Sequence, residues 1–254
     1  MIQYFDVSLR DGLQCQEIIY TIDEKKSILS NIIDKYSPKS IELGSIVSNK
    51  KVPQMNGSIE LYEYANTIWK GIDFYLLVPN LTKYKIALEN GVQNVSLLYS
   101  FSNTFQMKNI RKTLDETKNE FSRMDKTRGK RRIYLSCFME CPFEGRISDE
   151  DILNTIHYFR EENICLSDTM GSLMKDEFKR ILPRIKEIIE VEKISLHLHY
   201  SDKEEIVKII KYAYDEDITN FDVSSIEEGG CSITMNKNQC KKNISYEILE
   251  ELFV

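Results

Sequence analysis

The feature of this 254-residue chain that most limits its fold is a regular alternation of short β-rich runs with longer amphipathic stretches. Eight β-rich runs occur, and each is followed by a stretch whose apolar residues recur at helical spacing. This alternation predicts a parallel sheet, because strands joined through a helix run in the same direction. The predicted strands are Tyr4–Leu9, Ser40–Leu43, Phe74–Val78, Asn94–Tyr99, Arg132–Cys137, Ile164–Leu166, Lys193–His199 and Phe221–Ser224.

The amphipathic stretches predict one helix after each strand. Ser148, and either Ser201 or Asp202, are expected as N-caps, because their short polar side chains can bond the free amides of a first helical turn. Pro183 is expected to interrupt the helix that contains it. The predicted helices are Asp23–Tyr36, Ile59–Trp69, Lys83–Asn90, Lys108–Met124, Asp149–Arg160, Lys175–Ile189, Lys203–Tyr214 and Tyr246–Leu252.

Eight βα units in this length match a closed (β/α)₈ TIM barrel, an α/β fold of about 250 residues. An open doubly wound sheet is the alternative. That fold usually carries a glycine-rich turn after its first strand, whereas residues 10–14 read RDGLQ and contain no GxGxxG motif. The barrel is therefore favoured. No linker, repeat or low-complexity tract divides the chain, which predicts a single catalytic domain over residues 1–254.

Charge and hydropathy exclude several classes of protein. The net charge of −6 argues against a general nucleic-acid binder. No apolar run approaches the roughly 20 residues of a membrane helix, and the first residues show no secretory or organelle leader. The six cysteines include no CxxC pair and are expected to be reduced thiols, which favours a cytoplasmic protein. The basic segment 126–132 is interpreted as a solvated loop, with an anion-contacting loop as the alternative.

Ionisable and other polar residues gather where the predicted strands end, which is where barrel enzymes place their active sites. His197 and His199 are the strongest signal, because alternate residues of a strand point to the same face and two imidazoles can then share one metal ion. Two half-exposed strand histidines are the alternative, but Asp11 and Glu42 at neighbouring strand ends favour the metal site. These residue types leave zinc, iron, manganese and magnesium open.

Two further residues complete the candidate site. The side chains of Arg10 and Asp11 are expected to diverge, so that Asp11 faces the metal while Arg10 reaches an anion or a developing oxyanion. A local salt bridge between them is the alternative. Cys231 follows two glycines in a loop and is a candidate general acid or base, although a lone cysteine is more often inert.

Taken together, these tracts resemble the DRE-TIM metallolyases, and within them most closely the 3-hydroxy-3-methylglutaryl-CoA lyases. Residues 8–14 (SLRDGLQ) resemble the first-strand motif of that superfamily. Residues 52–55 (VPQM) and 141–145 (CPFEG) are more specific to the lyases. Residues 166–171 (LSDTMG), 197–199 (HLH) and 229–231 (GGC) follow in family order, so that the resemblance covers nearly the whole chain.

The resemblance implies a divalent cation, magnesium or manganese, and a small-molecule acyl-CoA or hydroxy-acid substrate. The implied reaction is a retro-Claisen cleavage that gives acetoacetate and acetyl-CoA. A homodimer is a further expectation, while no nucleic-acid or membrane partner is expected. By this resemblance the metal ligands are Asp11, His197, His199 and Asn243, the catalytic residues are Arg10, Asp11, Glu42 and Cys231, and the substrate contacts are Arg10, Gln14, Asp168 and Thr169.

The chain also departs from the family pattern. Glu227 replaces a glycine in the loop before Cys231, and residues 232–242 are longer and less rich in small residues than in the family. The family normally continues with a C-terminal segment that helps bind CoA, and the sequence ends at Val254. Two alternatives therefore stand beside the lyase: a related aldolase or acyl-transferring synthase acting on a 2-oxo acid, and a non-catalytic paralogue.

Overall fold

The computed structural model describes residues 2–229 and 241–253, in which eight parallel strands close into a barrel. Each of these eight strands pairs with the next one along the barrel, and the last pairs with both the seventh and the first, which closes the ring. The predicted (β/α)₈ barrel is confirmed. Its strands are β1 Gln3–Asp6, β2 Ser40–Ser45, β3 Asp73–Val78, β4 Asn94–Ser100, β5 Arg131–Ser136, β8 Asn163–Asp168, β9 Ile194–Tyr200 and β10 Asn220–Val223.

Helices cover the outside of the barrel. Apolar residues on their inner faces and on the outward faces of the strands form one continuous hydrophobic core. The helices are α1 Ile22–Tyr36, α2 Ser58–Ile68, α3 Leu81–Glu89, α4 Asn103–Ile110, α5 Leu114–Ser122, α6 Asp149–Tyr158, α7 Lys175–Lys186, α8 Lys203–Asp215 and α9 Tyr246–Phe253. None of the helices in residues 2–229 and 241–253 is long and apolar enough to cross a membrane.

Two helix predictions were wrong. The single helix predicted over 108–124 is divided into α4 and α5, because Arg111 adopts a left-handed conformation and Thr113 then caps a new helix through the amide of Glu116. Pro183 does not interrupt α7, whose buried residues pack on both sides of it and outweigh its helix-breaking tendency. The predicted caps are confirmed: Ser148 accepts from the amide of Asp151, and Asp202 from that of Glu204.

The first strand is shorter than predicted, and this changes where the site residues lie. β1 ends at Asp6, and Ser8–Gly12 forms one π-helical turn that carries Arg10 and Asp11. The buried Asp6 carboxylate holds this turn, since it accepts hydrogen bonds from the Ser8 amide at 3.0 Å and the Ser8 hydroxyl at 2.8 Å. Wide π-type turns of this kind are frequent at functional sites.

Two pairs of short strands at the carboxyl end of the barrel were not predicted. β6 Glu140–Cys141 and β7 Gly145–Arg146 form a hairpin after β5. β11 Glu228–Gly229 pairs antiparallel with β12 Lys241–Asn243, which in turn pairs antiparallel with β9. The chain therefore returns across the mouth of the barrel just before its last helix.

The basic segment 126–132 is not simply a solvated loop. Arg131 and Arg132 begin β5, and Arg132 lies buried inside the barrel, where it donates to Asp222 at 2.7 Å. Arg131 and Lys126 both pair with Glu162 at the amino-terminal end of the barrel. Residues 126–130 form the exposed loop that was expected, whereas Arg131 and Arg132 belong to a strand.

We expect the hydrogen bond that ties α9 to β1 to stabilise the fold measurably. Tyr246 is fully buried and its hydroxyl donates to Asp6 Oδ2 at 2.8 Å. In Tyr246→Phe a buried carboxylate loses one donor, which should lower the free energy of unfolding by about 1–3 kcal/mol in urea titrations. Tyr36→Phe is the control, since Tyr36 stacks on Tyr246 but bonds only exposed groups. Equal losses in the two variants would contradict this expectation.

Candidate active site

A cavity of about 260 Å³ opens at the carboxyl ends of the barrel strands. Its floor is formed by polar side chains of β5, β8 and β9, and its walls by the segments that follow β1, β2, β3 and β4. The lining residues used below are Arg10, Asp11, Gln14, Lys51, Val52, Lys83, Tyr134, Thr169, His197 and His199. Most residues expected from the sequence to form a site therefore do lie on one cavity.

Asp11, His197 and His199 converge at the floor of this cavity. All three are buried, and one ligand atom from each lies within 4.8 Å of the others. The two Nε2 atoms are 3.1 Å apart, and each is 3.9 Å from a carboxylate oxygen of Asp11. The two histidines are alternate residues of β9, as predicted, while Asp11 reaches them from the π-helical turn after β1.

This group fits a divalent metal ion. Two ligands at ~2.1 Å from an octahedral ion and at right angles to each other stand about 3 Å apart, close to the separation of the Nε2 atoms. Burial lowers the pKa of His199 to about 4, so that its imidazole is neutral at pH 7, the form that binds metal. The carboxylate of Asp11 supplies the hard oxygen ligand that Mg²⁺ and Mn²⁺ prefer.

Asn243 lies at the edge of the same group. It stands directly opposite His199 in the pairing of β12 with β9, and its side chain is buried. Gly229 makes this approach possible. A Cβ atom at Gly229 would lie 2.2 Å from Asp11 Oδ2 and 2.3 Å from Asn243 Nδ2, so both side chains reach into space that only glycine leaves free.

Arg10 and Asp11 do not diverge as predicted. The Arg10 guanidinium donates to Asp11 Oδ1 at 2.6 Å and, through Nε, to Glu42 Oε2 at 2.5 Å. The salt bridge considered as the alternative is therefore present, because the π-helical turn brings the two adjacent side chains to the same side. Arg10 is buried on the cavity wall, and the two carboxylates fix the plane of its guanidinium.

Tyr134 was missed by the sequence analysis and occupies the centre of the site. Its hydroxyl lies 3.1 Å from Glu42 Oε2 and 3.0 Å from Asp222 Oδ2, and the Arg10 guanidinium lies 4.9 Å above its ring. Burial raises the pKa of Tyr134 well above its ordinary value, so that it remains a neutral phenol and a hydrogen-bond donor. The alternation of Arg132, Tyr134 and Ser136 along one face of β5 was the available signal.

Asp222 was also missed, and it orients a candidate metal ligand. Its Oδ2 atom lies 3.1 Å from His197 Nδ1, which leaves His197 Nε2 directed at Asp11 and His199. Burial opposes ionisation of Asp222, but the Arg132 guanidinium and the bond to His197 outweigh it and hold the pKa of Asp222 below its usual value. A carboxylate behind a histidine in this way fixes its tautomer and raises its basicity toward a metal.

The remaining predicted residues occupy three different places. Gln14 and Thr169 line the cavity, and the Thr169 hydroxyl accepts from the Cys137 amide at 2.9 Å. The Asp168 carboxylate points instead into the following loop, where it accepts from the amides of Ser172 and Leu173. The structure therefore does not bring Asp168 together with the others. Cys231 lies outside the described residues.

A (β/α)₈ barrel whose strand ends hold an Asp–His–His group beside a fixed, buried arginine defines a class of metal-binding barrel enzymes. Comparison with known proteins narrows this class. The HMGL-like family model matches residues 1–203. The chain belongs to the HMGL-like family, and its relatives there are carbon–carbon lyases.

Individual relatives agree with this assignment. The 3-hydroxy-3-isohexenylglutaryl-CoA/hydroxymethylglutaryl-CoA lyase of Pseudomonas aeruginosa is 25% identical over 237 residues, which cover 91% of this chain and 78% of that protein. The hydroxymethylglutaryl-CoA lyase YngG of Bacillus subtilis is 27% identical over 89% of this chain and 77% of its own length. The structure of an HMG-CoA lyase from Acinetobacter baumannii, in complex with coenzyme A and 3-methylmalate, superimposes with a TM-score of 0.89 at 26% identity, covering 99% and 83% of the two chains.

We expect Asp222→Asn to weaken metal binding in addition to lowering stability, since the buried Arg132 loses its charged partner. The amide keeps the shape of the side chain but removes the charge that orients and polarises His197, so affinity for Mn²⁺ should fall about 10–100-fold in calorimetric titrations. Glu162→Gln is the matched control, since Glu162 is also a carboxylate paired with an arginine but lies away from the cavity. An unchanged Mn²⁺ affinity in a folded Asp222→Asn protein would contradict the role given to Asp222.

Gly229→Ala tests the side of the metal-binding group at which Asp11 and Asn243 approach each other. The added methyl would displace Asp11 or Asn243, and we expect Mn²⁺ affinity to fall by at least tenfold while the circular dichroism spectrum is retained. Glu228→Ala serves as the control, because Glu228 lies on the same short strand but is exposed. Normal Mn²⁺ binding by Gly229→Ala would contradict the expectation that Mn²⁺ binding depends on the positions of Asp11 and Asn243.

Proposed function

We propose that this protein is a divalent-metal-dependent carbon–carbon lyase that cleaves 3-hydroxy-3-methylglutaryl-CoA into acetoacetate and acetyl-CoA. The observation that carries the proposal is that Asp11, His197 and His199 line the same cavity as the fixed Arg10 guanidinium. The names of the relatives, and the coenzyme A and 3-methylmalate in the Acinetobacter baumannii complex, support the choice of substrate.

Asp11, His197, His199 and Asn243 would hold a Mg²⁺ or Mn²⁺ ion. When bound, such an ion acts as a Lewis acid that makes a coordinated hydroxyl easier to deprotonate. Loss of that proton starts the retro-Claisen cleavage, in which the electron pair of the broken carbon–carbon bond passes to the α-carbon of the thioester. The proton lost from the hydroxyl is balanced by the one that the enolate carbon later receives. The buried, neutral imidazole of His199 is well suited to this ligand role, and Asp222 holds His197 ready for it.

Arg10 is the group on this chain that can stabilise the product of bond cleavage. As the bond breaks, negative charge develops on the thioester oxygen of the enolate of acetyl-CoA. A guanidinium already held by Glu42 and Asp11 needs no reorientation to meet that charge, and fixed donors of this kind contribute most to rate. Glu42 and Tyr134 are positioning residues in this scheme, because they contact Arg10 rather than the reacting atoms.

Cys231 is proposed to deliver the proton that converts the enolate carbon into the methyl group of acetyl-CoA. This role rests on the family resemblance of the loop 229–231. Gln14 and Thr169 are proposed to contact the substrate because both line the cavity. Asp168 would act indirectly, through the loop 169–173 whose amides it holds.

Purified protein supplied with Mn²⁺ or Mg²⁺ should release acetoacetate from 3-hydroxy-3-methylglutaryl-CoA. Arg10→Lys keeps the charge but loses the planar fork that fits both carboxylates, so kcat should fall about 10²-fold or more while Mn²⁺ still binds. Arg184→Lys is the control, since Arg184 is an exposed arginine that pairs with Asp149 on the outer surface. The assay couples acetoacetate to its NADH-dependent reduction.

The same assay separates the lyase from its alternatives. Turnover of 2-oxo acids or 4-hydroxy-2-oxo acids, without cleavage of the thioester, would replace the proposal by an aldolase or synthase. If Cys231→Ala keeps its lyase activity, the role proposed for this thiol is contradicted, but the lyase proposal itself is not. Protein that binds Mn²⁺ but turns over none of these substrates would contradict the enzymatic proposal.

A further inference from the structure

The wall of the active-site cavity carries two lysines that the sequence analysis did not consider. Lys51 follows β2, Lys83 lies in the first turn of α3, and both line the cavity that holds the metal-binding group. Asp11 is the only carboxylate residue among the lining residues in the described part of the chain, and it already pairs with Arg10. The cavity therefore has cationic groups beyond those needed at its floor.

Neither lysine is neutralised within residues 2–229 and 241–253. Neither ammonium group forms an ion pair or hydrogen bond there, whereas many other surface lysines of this acidic chain do, such as Lys35, Lys186 and Lys203. Lys51 is exposed and Lys83 half-buried, which places them at the mouth of the cavity rather than at its floor. Two unpaired charges at one opening attract anions to it.

The backbone of both lysines is fixed. The turn Pro53–Met55 after Lys51 is held by buried Lys25, whose ammonium donates to the carbonyls of Gln54 and Asn56 at 2.6 Å each. Val52, the neighbour of Lys51, is itself buried on the cavity wall.

Lys83 is fixed by the cap of its helix. Its amide is bonded by the Asn80 side chain at 2.9 Å, and the flanking Leu81 and Tyr84 are buried. Only the ends of the two lysine side chains need ordering when a ligand binds, which keeps the entropic cost of binding low.

The proposed reaction determines which part of the substrate is left for these lysines. In that reaction the metal-binding group would hold the hydroxyl of the acyl chain and attract the carboxylate of the same chain, while Arg10 would meet the thioester oxygen. The negative charge that remains is on the phosphates of the acyl carrier, at the far end of the pantetheine arm. A cavity of about 260 Å³ is slightly smaller than the usual range of ligand-site volumes, ~300–1,000 Å³, so the bulky nucleotide would lie at the mouth.

We propose that Lys51 and Lys83 bind the phosphate groups of the CoA carrier and make this enzyme prefer CoA thioesters over thioesters that lack phosphate. This inference rests on the proposed function for the identity of the acyl group. It assigns the two lysines a role in specificity and none in bond cleavage, since they lie at the mouth and not beside the metal-binding group.

The test compares two substrates of the Mn²⁺-loaded enzyme: 3-hydroxy-3-methylglutaryl-CoA and the corresponding pantetheine thioester, which has no phosphate. The ratio of their kcat/KM values should fall about tenfold in Lys51→Gln/Lys83→Gln, because each ammonium–phosphate contact near the surface contributes modestly. Lys85→Gln is the matched control. Lys85 lies on the same helix as Lys83 but is exposed and does not line the cavity.

The salt dependence gives a second readout. The KM of the unaltered enzyme for the CoA thioester should rise with ionic strength, and this rise should be smaller in the double variant, because exposed charge pairs are screened by salt. An unchanged ratio of kcat/KM values in the double variant would overturn the inference and leave the lyase proposal standing. An equal loss for both thioesters would also overturn it, since the lysines would then act on the acyl group.

Binding of free CoA separates this inference from the proposed function. If the unaltered protein cleaves neither thioester, the lyase proposal fails, but calorimetry with CoA still tests the lysines. A Kd for CoA about tenfold higher in Lys51→Gln/Lys83→Gln than in Lys85→Gln would support the inference. Equal CoA affinities in the two proteins would overturn it.

Discussion

The ion pair between Arg132 and Asp222, buried inside the barrel, is the interaction on which the rest of the site depends. An uncompensated carboxylate at that depth would be strongly unfavourable, and removing one partner of such a pair typically costs several kcal/mol. Because Arg132 holds Asp222 in its charged form, Asp222 can in turn orient His197. The barrel interior thus carries a continuous polar path from its amino-terminal end to the metal-binding group.

The sequence predicted the architecture and the histidine pair because both follow from short-range periodicity. Strand and helix periods specify the eight βα units, and a two-residue spacing places His197 and His199 on one face. The π-helical turn could not be predicted, because no local pattern distinguishes a strand that ends at Asp6 from one that continues to Arg10. Asp222 was missed because it is an ordinary strand residue until the barrel closes and brings β5 opposite β10. Tyr134 was missed because the polar alternation along β5 does not by itself show which residues lie opposite that face.

The position of Asn243 shows where family resemblance and geometry support each other. The motif placed Asn243 only by its nearness to the last helix, whereas the pairing of β12 with β9 places it directly opposite His199. Asp11 and Asn243 come from opposite ends of the chain and meet above Gly229. With Asn243 as the proposed fourth ligand, the site is complete only when the turn after β1, strand β9 and strand β12 are all in place, which would couple metal affinity to completion of the fold.

The hydroxyl of Tyr134 lies between two carboxylates. A phenol carries one hydrogen, and two carboxylate oxygens lie at nearly the same distance from it, 3.1 Å for Glu42 and 3.0 Å for Asp222. The hydrogen can serve only one of them at a time, so the network has two states that differ by rotation of a single bond. In one state the Tyr134 hydroxyl donates to Glu42, which then binds Arg10 less strongly. In the other it donates to Asp222, which then forms a weaker hydrogen bond with His197. A change of charge beside the arginine would shift this hydrogen from one carboxylate to the other, and so would alter the bond between Asp222 and His197 by rotation of the hydroxyl alone.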